Sequence, residues 1–314
     1  MFWYPLRTTL QGVAQFELSG NPTNRAQGHT SALVTEKIQE LTGLHPKRQE
    51  YRAAGRGPGN LGSYSIELEL AEMSSTETVF LTAEWRDLVM LNYEVDPRVL
   101  DKYVPCGTVL DSFLGKTYVS LVGFRFCRTK LFGSLAVPLH SDFDEVNLRF
   151  YVRRKEGDEN RRGVVFIAEI VPKQAVAMVA RLIYGENYVC LPMKHHVDTD
   201  GSKKTVKYQW QVKNQWCQLT AQAMGAPELP REGSLEQFIT EHYWGYSNQR
   251  GGGSSEYHVT HVPWRVWVSA TAGFEGDASE LYGVELGQIL QGPVSSACIA
   301  DGSPVTVFRG SKLP

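Results

Sequence analysis

From Phe80 onward the chain is written almost entirely in strand-length segments, and this restricts the folds open to it more than any other feature. The runs LVMLNYEV (88–95), TYVSLVGFRF (117–126), EVNLRFYVRR (145–154), GVVFIAEI (163–170), TVKYQWQVK (205–213) and QWCQLTAQA (215–223) are rich in β-branched and aromatic residues. Gly, Asp-Gly or Pro signals bound them. Closely spaced runs of this kind predict an extended antiparallel sheet or barrel.

Three segments break the pattern. PKQAVAMVARLIYGE (172–186) has Pro172 at a first helical position, Val176, Val179 and Ile183 at helical spacing, and Gly185 as a stop. GSLEQFITEHYW (233–244) offers Ser234 as a cap, and GDASELYGVELGQIL (276–290) offers Asp277 or Ser279. The fold class expected is therefore α+β, mostly β, with two or three helices on a sheet that wraps around something. Residues 1–75 differ in texture: SALVTEKIQELTG (31–43) reads as one short helix capped by Ser31 and stopped by Gly43, and the Gly-, Arg- and Pro-rich stretch after it reads as linker. The boundaries expected are a flexible N-terminal extension over 1–75 and one β domain over 76–314.

A formal net charge of −2 argues against a general nucleic-acid or acidic-membrane binder. The five cysteines, Cys106, Cys127, Cys190, Cys217 and Cys298, are widely spaced, with no C-x-x-C pair, and read as reduced thiols of a cytoplasmic protein. The N-terminal residues make a poor signal peptide, and no apolar run is long enough for a membrane span.

The stretch YVCLPMKHH (188–196) sets a lysine and two histidines behind a proline in an apolar segment. Around it, EWRDLVMLNYEVDPRVLDKYVPCGTVLD, DEVNLRFYVRR, RGVVFIAEIVPKQAVAMVARLIYGENY, EHYWGY and PWRVW occur together and in order. On these segments the chain resembles the YqjF-like bacterial family, domain of unknown function 2071, across most of the region after residue 80. More remotely, the order of elements resembles acetoacetate decarboxylase, which implies a β-cone or barrel around an apolar pocket.

In that enzyme the first lysine of a Pro-Lys-Lys forms a Schiff base with a keto acid, and an arginine in a Tyr-Arg-Thr-Asp stretch lies in the pocket. Here YEVD (93–96), Glu145 and PMK (192–194) fall in the same order. The resemblance puts Met193 at the nucleophile position and Glu94 at the docking position. A thioether forms no imine, and an acid repels a carboxylate. Lys194 matches the second lysine, and in an extended segment its side chain points away from the pocket that Met193 faces. A free lysine, with a pKa of about 10.4, also needs burial or a neighbouring cation before it can act as an amine.

Glu145 opens a strongly apolar strand, and alternation puts Asn147 on its face and Val146 and Leu148 on the other. A carboxylate at a barrel mouth between apolar walls would have a raised pKa and serve as general acid or base; pairing with Arg125 or Arg149 is the plainer role. Tyr243, Trp244 and Trp264, from an aromatic-rich C-terminal half, are the expected pocket walls beside Met193 and Glu94. His195, His196, His242, His258 and His261 lack the spacing of a metal site. The Gly-rich stretches 55–59 and 248–256 are not phosphate loops, and no cofactor is implied. The function expected is the binding of a small, largely apolar metabolite without Schiff-base chemistry, its conversion being left open. A lysine-dependent lyase acting on a keto acid through Lys194, and a filled barrel with a structural or interaction role, stay open. The partner expected is a small molecule of unknown identity, with no nucleic acid and no membrane, and a homo-oligomer is left open.

Overall fold

The computed structural model describes residues 77–136, 141–174, 187–249, 252–268 and 271–313. The chain divides into Met1–Gly57 and Pro58–Pro314, and every described residue belongs to the second unit. The extension expected over 1–75, with its helix at 31–43, lies outside the described residues, as does the expected helix of 172–186 from residue 175 on.

The strands run in order β1 Val79–Val95, β2 Val109–Leu110, β3 Thr117–Leu131, β4 Leu135–Ala136, β5 Phe143–Glu156, β6 Glu159–Val171, β7 Tyr188–Cys190 and β8 Met193–Asp200. They continue with β9 Lys203–Val212, β10 Gln215–Met224, β11 Trp244–Asn248, β12 Ser254–His261, β13 Val266–Val268, β14 Thr271–Glu275, β15 Ser296–Phe308 and β16 Ser311–Leu313. The helices are short: α1 Pro97–Leu100, α2 Leu235–Thr240, α3 Ser279–Tyr282 and α4 Val284–Leu290, with a 3-10 turn at Asp101–Tyr103. The fold is α+β and mostly β, and all six strand-like runs of the sequence are strands. Among the described residues no helix is long and apolar enough to cross a membrane.

The main sheet has the order β13-β15-β1-β3-β5-β6-β11-β12-β16, with β2, β4 and β7 attached to β5, β3 and β6. Because β12 also pairs with β15, the path through β1, β3, β5, β6, β11 and β12 returns to its start and closes a ring. A second sheet, β14-β10-β9-β8, is antiparallel throughout.

Alternation along these strands builds two cores on opposite faces of the main sheet. The first holds Val89, Leu91, Val119, Leu121, Val146, Leu148 and Phe150 against Tyr208, Trp210 and Leu219 of the second sheet and Tyr282, Leu286 and Leu290 of α3 and α4. Close approach there requires Gly123, since a Cβ at that position would lie 2.6 Å from the Tyr208 ring. The second core gathers Met90, Val122, Phe124, Phe126, Phe143, Tyr151 and Trp264 under Phe238 and Ile239 of α2.

Local chemistry explains the helix ends. Ser234 accepts from Gln237 N at 3.2 Å while the Gln237 side chain accepts from Gly233 N at 2.8 Å, a reciprocal cap on α2. The single helix expected over 276–290 is two helices instead. Gly283, at φ 83°, breaks the run between them, and the Asp277 carboxylate accepts from Ser279 N at 2.8 Å at the start of α3. Beyond Lys194, β8 continues to Asp200 and pairs through a tight turn with β9 from Lys203.

Candidate functional site

Along β5, Phe143, Glu145, Asn147, Arg149 and Tyr151 all point to the second core, because successive side chains alternate between faces. The three polar residues of this series are nearly sealed from solvent, at 2% exposure for Glu145, 1% for Asn147 and 9% for Arg149. On β6, Glu169 lies opposite Asn147 in register and is 1% exposed. On β7, Tyr188 pairs with Glu169. Asn147 Nδ2 donates to Glu145 Oε1 at 3.0 Å, and the Tyr188 hydroxyl donates to Glu145 Oε2 at 3.2 Å. Glu145 thus meets neither Arg125 nor Arg149 within ion-pair distance, and it lies inside the core rather than at a mouth.

A second polar row runs across the same face. The Tyr151 hydroxyl and Ser120 Oγ are 2.6 Å apart, Ser120 Oγ donates to Asn92 Oδ1 at 2.6 Å, and Asn92 Nδ2 donates to Ser296 Oγ at 2.9 Å. Beside it, the His242 ring packs on Tyr151 with centroids 4.7 Å apart and edge-on to Phe238 at 5.4 Å. Its Nε2 stands 3.8 Å from Asp111 Oδ2, within ion-pair but beyond hydrogen-bond reach, and neither ring nitrogen has a hydrogen-bond partner among the described residues. Asp111 is held by Arg162 at 2.8 Å. Burial pushes the His242 pKa down to about 4, outweighing the opposite pull of Asp111. Arg149 Nη2 donates to the Ile239 carbonyl at 3.3 Å and approaches Met90 Sδ at 3.9 Å, with the guanidinium 5.8 Å from the Tyr151 ring centre. Its Nε is buried and has no hydrogen-bond partner among the described residues.

The residues singled out in the sequence do not converge. Lys194 is exposed, with Nζ 4.2 Å from the centre of the Trp216 ring. Met193 faces the other way and packs against the first core opposite Trp210. Met193 and Glu145 therefore do not line one pocket as expected. The main sheet buries both its faces, and β8 belongs to the second sheet, which covers the opposite face from Glu145. Glu94 is exposed and paired with Lys116 at 2.7 Å. It borders an open groove of ≈ 480 Å³ formed with Asp96, Pro97, Gly115 and Thr117.

The aromatic residues divide as well. Trp264 lies in the second core, donating from Nε1 to Ser303 Oγ at 2.9 Å and stacking on His261 at 4.2 Å, while the Tyr243 ring sits 4.9 Å from His261. Trp244 packs instead against the first core, between His258 at 4.7 Å and the Arg161 guanidinium at 4.2 Å. His195 is bound to Asp144 at 2.8 Å and His258 to Glu77 at 2.9 Å. Among the described residues no group of three His, Cys, Asp or Glu side chains is arranged to hold a metal. Sequence reasoning missed Glu169 and Tyr188, and weighed His242 only as a metal ligand. The signal for Glu169 was a lone acid within GVVFIAEI; the other two depend on contacts far along the chain.

A family model described as "Uncharacterized conserved protein", DUF2071, matches residues 82–304. The uncharacterized protein YqjF of Bacillus subtilis (strain 168) is 24% identical over 180 residues, covering 57% of this chain and 72% of that protein. Among solved structures, an acetoacetate decarboxylase-like enzyme from Sphingomonas wittichii RW1 superposes with a TM-score of 0.54 at 12% identity, covering 74% of this chain and 93% of that one. The acetoacetate decarboxylase of Legionella pneumophila gives 0.52 at 15% identity, covering 82% and 98%. The enduracididine biosynthesis enzyme MppR, complexed with pyruvate, gives 0.55 at 12% identity, covering 76% and 92%. Likeness at these identities establishes the fold.

Proposed function

The chain belongs to the DUF2071 family, and from that premise we propose that its second core binds, and by acid–base chemistry transforms, a small and largely apolar metabolite without forming an imine. One observation carries the reading: Glu145, Asn147 and Glu169 share a single buried sheet face, with the Tyr188 hydroxyl on Glu145. Two carboxyl groups on one buried sheet face, nearly sealed from solvent, are the kind of polar group around which functional sites are built. A carboxyl group so placed can exchange a proton with a bound molecule, while Asn147 and Tyr188 orient the Glu145 oxygens. Phe124, Phe126, Phe143 and Trp264 supply the apolar walls. Lys194 takes no part, because its ammonium lies on Trp216 at the surface.

A native mass spectrum of the purified protein looks for a small molecule released on denaturation. Glu145→Gln keeps the shape of the side chain and removes its charge. It is expected to weaken retention or turnover of that molecule by about tenfold or more while leaving stability within about 1 kcal/mol of the parent. Borohydride reduction with a keto acid is expected to leave the mass unchanged. Retention unaltered by Glu145→Gln, or an adduct on Lys194, would sink the reading.

A further inference from the structure

We infer that the molecule bound in the second core carries a carboxylate and that Arg149 is the residue that receives it; the inference rests on the site proposed above and names the class of its ligand. Arg149 is 9% exposed, points into the second core, and has no carboxylate within ion-pair distance among the described residues. Among the described residues it meets one backbone carbonyl, one thioether and the Tyr151 ring. An uncompensated guanidinium at this depth is costly, and buried charges are normally paired.

The acids of the same sheet face do not fill the role. Glu145 is four positions away along the strand, about 13 Å at 3.3 Å per residue, and Glu169 is opposite Asn147. Asp111 is engaged by Arg162. The Ile239 carbonyl, near the C-terminal end of α2, fixes one nitrogen of the fork and leaves Nε buried without an acceptor. His242, packed on the same Tyr151 ring, adds two further nitrogens without a hydrogen-bond partner among the described residues. A planar anion lying against the guanidinium would satisfy Nε through the paired geometry that arginine and carboxylate share.

Charge selects a monoanion. The site offers one guanidinium not already held by a carboxylate, since Arg162 is held by Asp111; its imidazole is neutral at neutral pH, and the face carries two carboxyl groups a few residues away. A single carboxylate balances Arg149, whereas a dianion such as phosphate would leave net negative charge buried. With its carboxylate on Arg149, such a ligand would extend its apolar body along β5 toward Asn147 and Glu145.

The test is calorimetric titration of the full chain with butyrate, hexanoate and benzoate, each against its neutral amide, and with inorganic phosphate. At least one acid is expected to bind about tenfold or more tightly than its amide. Arg149→Met is expected to abolish that preference and, without ligand, to melt no lower than the parent, because an uncompensated buried charge has been removed. If Arg149→Met does not fold, Arg149→Lys decides: it keeps the charge but lacks the fork, and the acid preference must fall. Amides binding as well as acids, or phosphate binding as tightly as the best acid, would overturn the carboxylate while leaving a small-molecule site. Acid preference surviving in both variants would remove Arg149. No binding by any of these compounds, together with no co-purifying molecule, would remove both the inference and the function on which it rests.

Discussion

One strand faces two different interiors. On the first-core side of β5, Val146, Leu148, Phe150 and Val152 are all at 0% exposure, an unbroken apolar row. On the second-core side of the same strand, Glu145, Asn147 and Arg149 interrupt the row between Phe143 and Tyr151 at nearly the same depth. The first row stabilises the fold by removing apolar surface from water, at about 1.5–3 kcal/mol for each large side chain. The second forgoes that gain at three positions and accepts desolvation of charge instead. Burial alone is therefore a poor guide to purpose here, and the chemistry of what is buried separates the two cores.

The comparison is broken most directly by truncating the apolar row. Leu148→Ala is expected to cost about 2–5 kcal/mol in denaturant unfolding, through lost transfer energy and the cavity left behind, with ligand affinity unaltered. A cost below about 1 kcal/mol would mean that the first core is not the stability core.

A second test uses pH to titrate the polar core. Burial holds the His242 pKa at about 4 in the folded protein, against about 6.5 when unfolded, so the unfolded chain takes up the proton first. Its contribution is complete above about pH 6.5 and is lost as the pH falls toward 4, by up to roughly 3 kcal/mol. Asp111 pulls toward the charged form, and Arg162 and Arg149 oppose it. Melts between pH 4 and 7 should show this slope in the parent and a flatter one in His242→Phe, which keeps the stacking on Tyr151. Identical slopes would assign the effect to other groups.

The smallest effect is expected outside both cores. Lys194→Ala removes a partly exposed cation–π contact with Trp216 and should change stability by about 0.5–1 kcal/mol, with no change in ligand binding. A large loss of binding would return the lysine to the site.

Much of this fold was legible because its signals are local. Period-two alternation identified β1, β3, β5, β6, β9 and β10, and the Ser234 cap identified α2. The same alternation put Asn147 beside Glu145, and the one-residue offset put Lys194 and Met193 on opposite sides of β8. The grouping of Met193 with Glu145 was in error because alternation states that two residues face apart within a strand, not which of two buried interiors each enters. Gly283 was overlooked as a break because a glycine within a helical pattern is often tolerated.

Residue spacing along the chain was enough to specify a β-rich domain, its strands, and the residues on each face, since these follow from backbone geometry that repeats every second residue. The meeting of Glu145 with Tyr188, 43 positions on, required β7 to add in parallel to β6. His242 came to lie on Tyr151, and the Ile239 carbonyl on Arg149, only when α2 packed over the second core. Such contacts depend on strand order and on which elements cover which face, and these are settled by the burial of apolar surface over the whole domain, so no short window of sequence contains them.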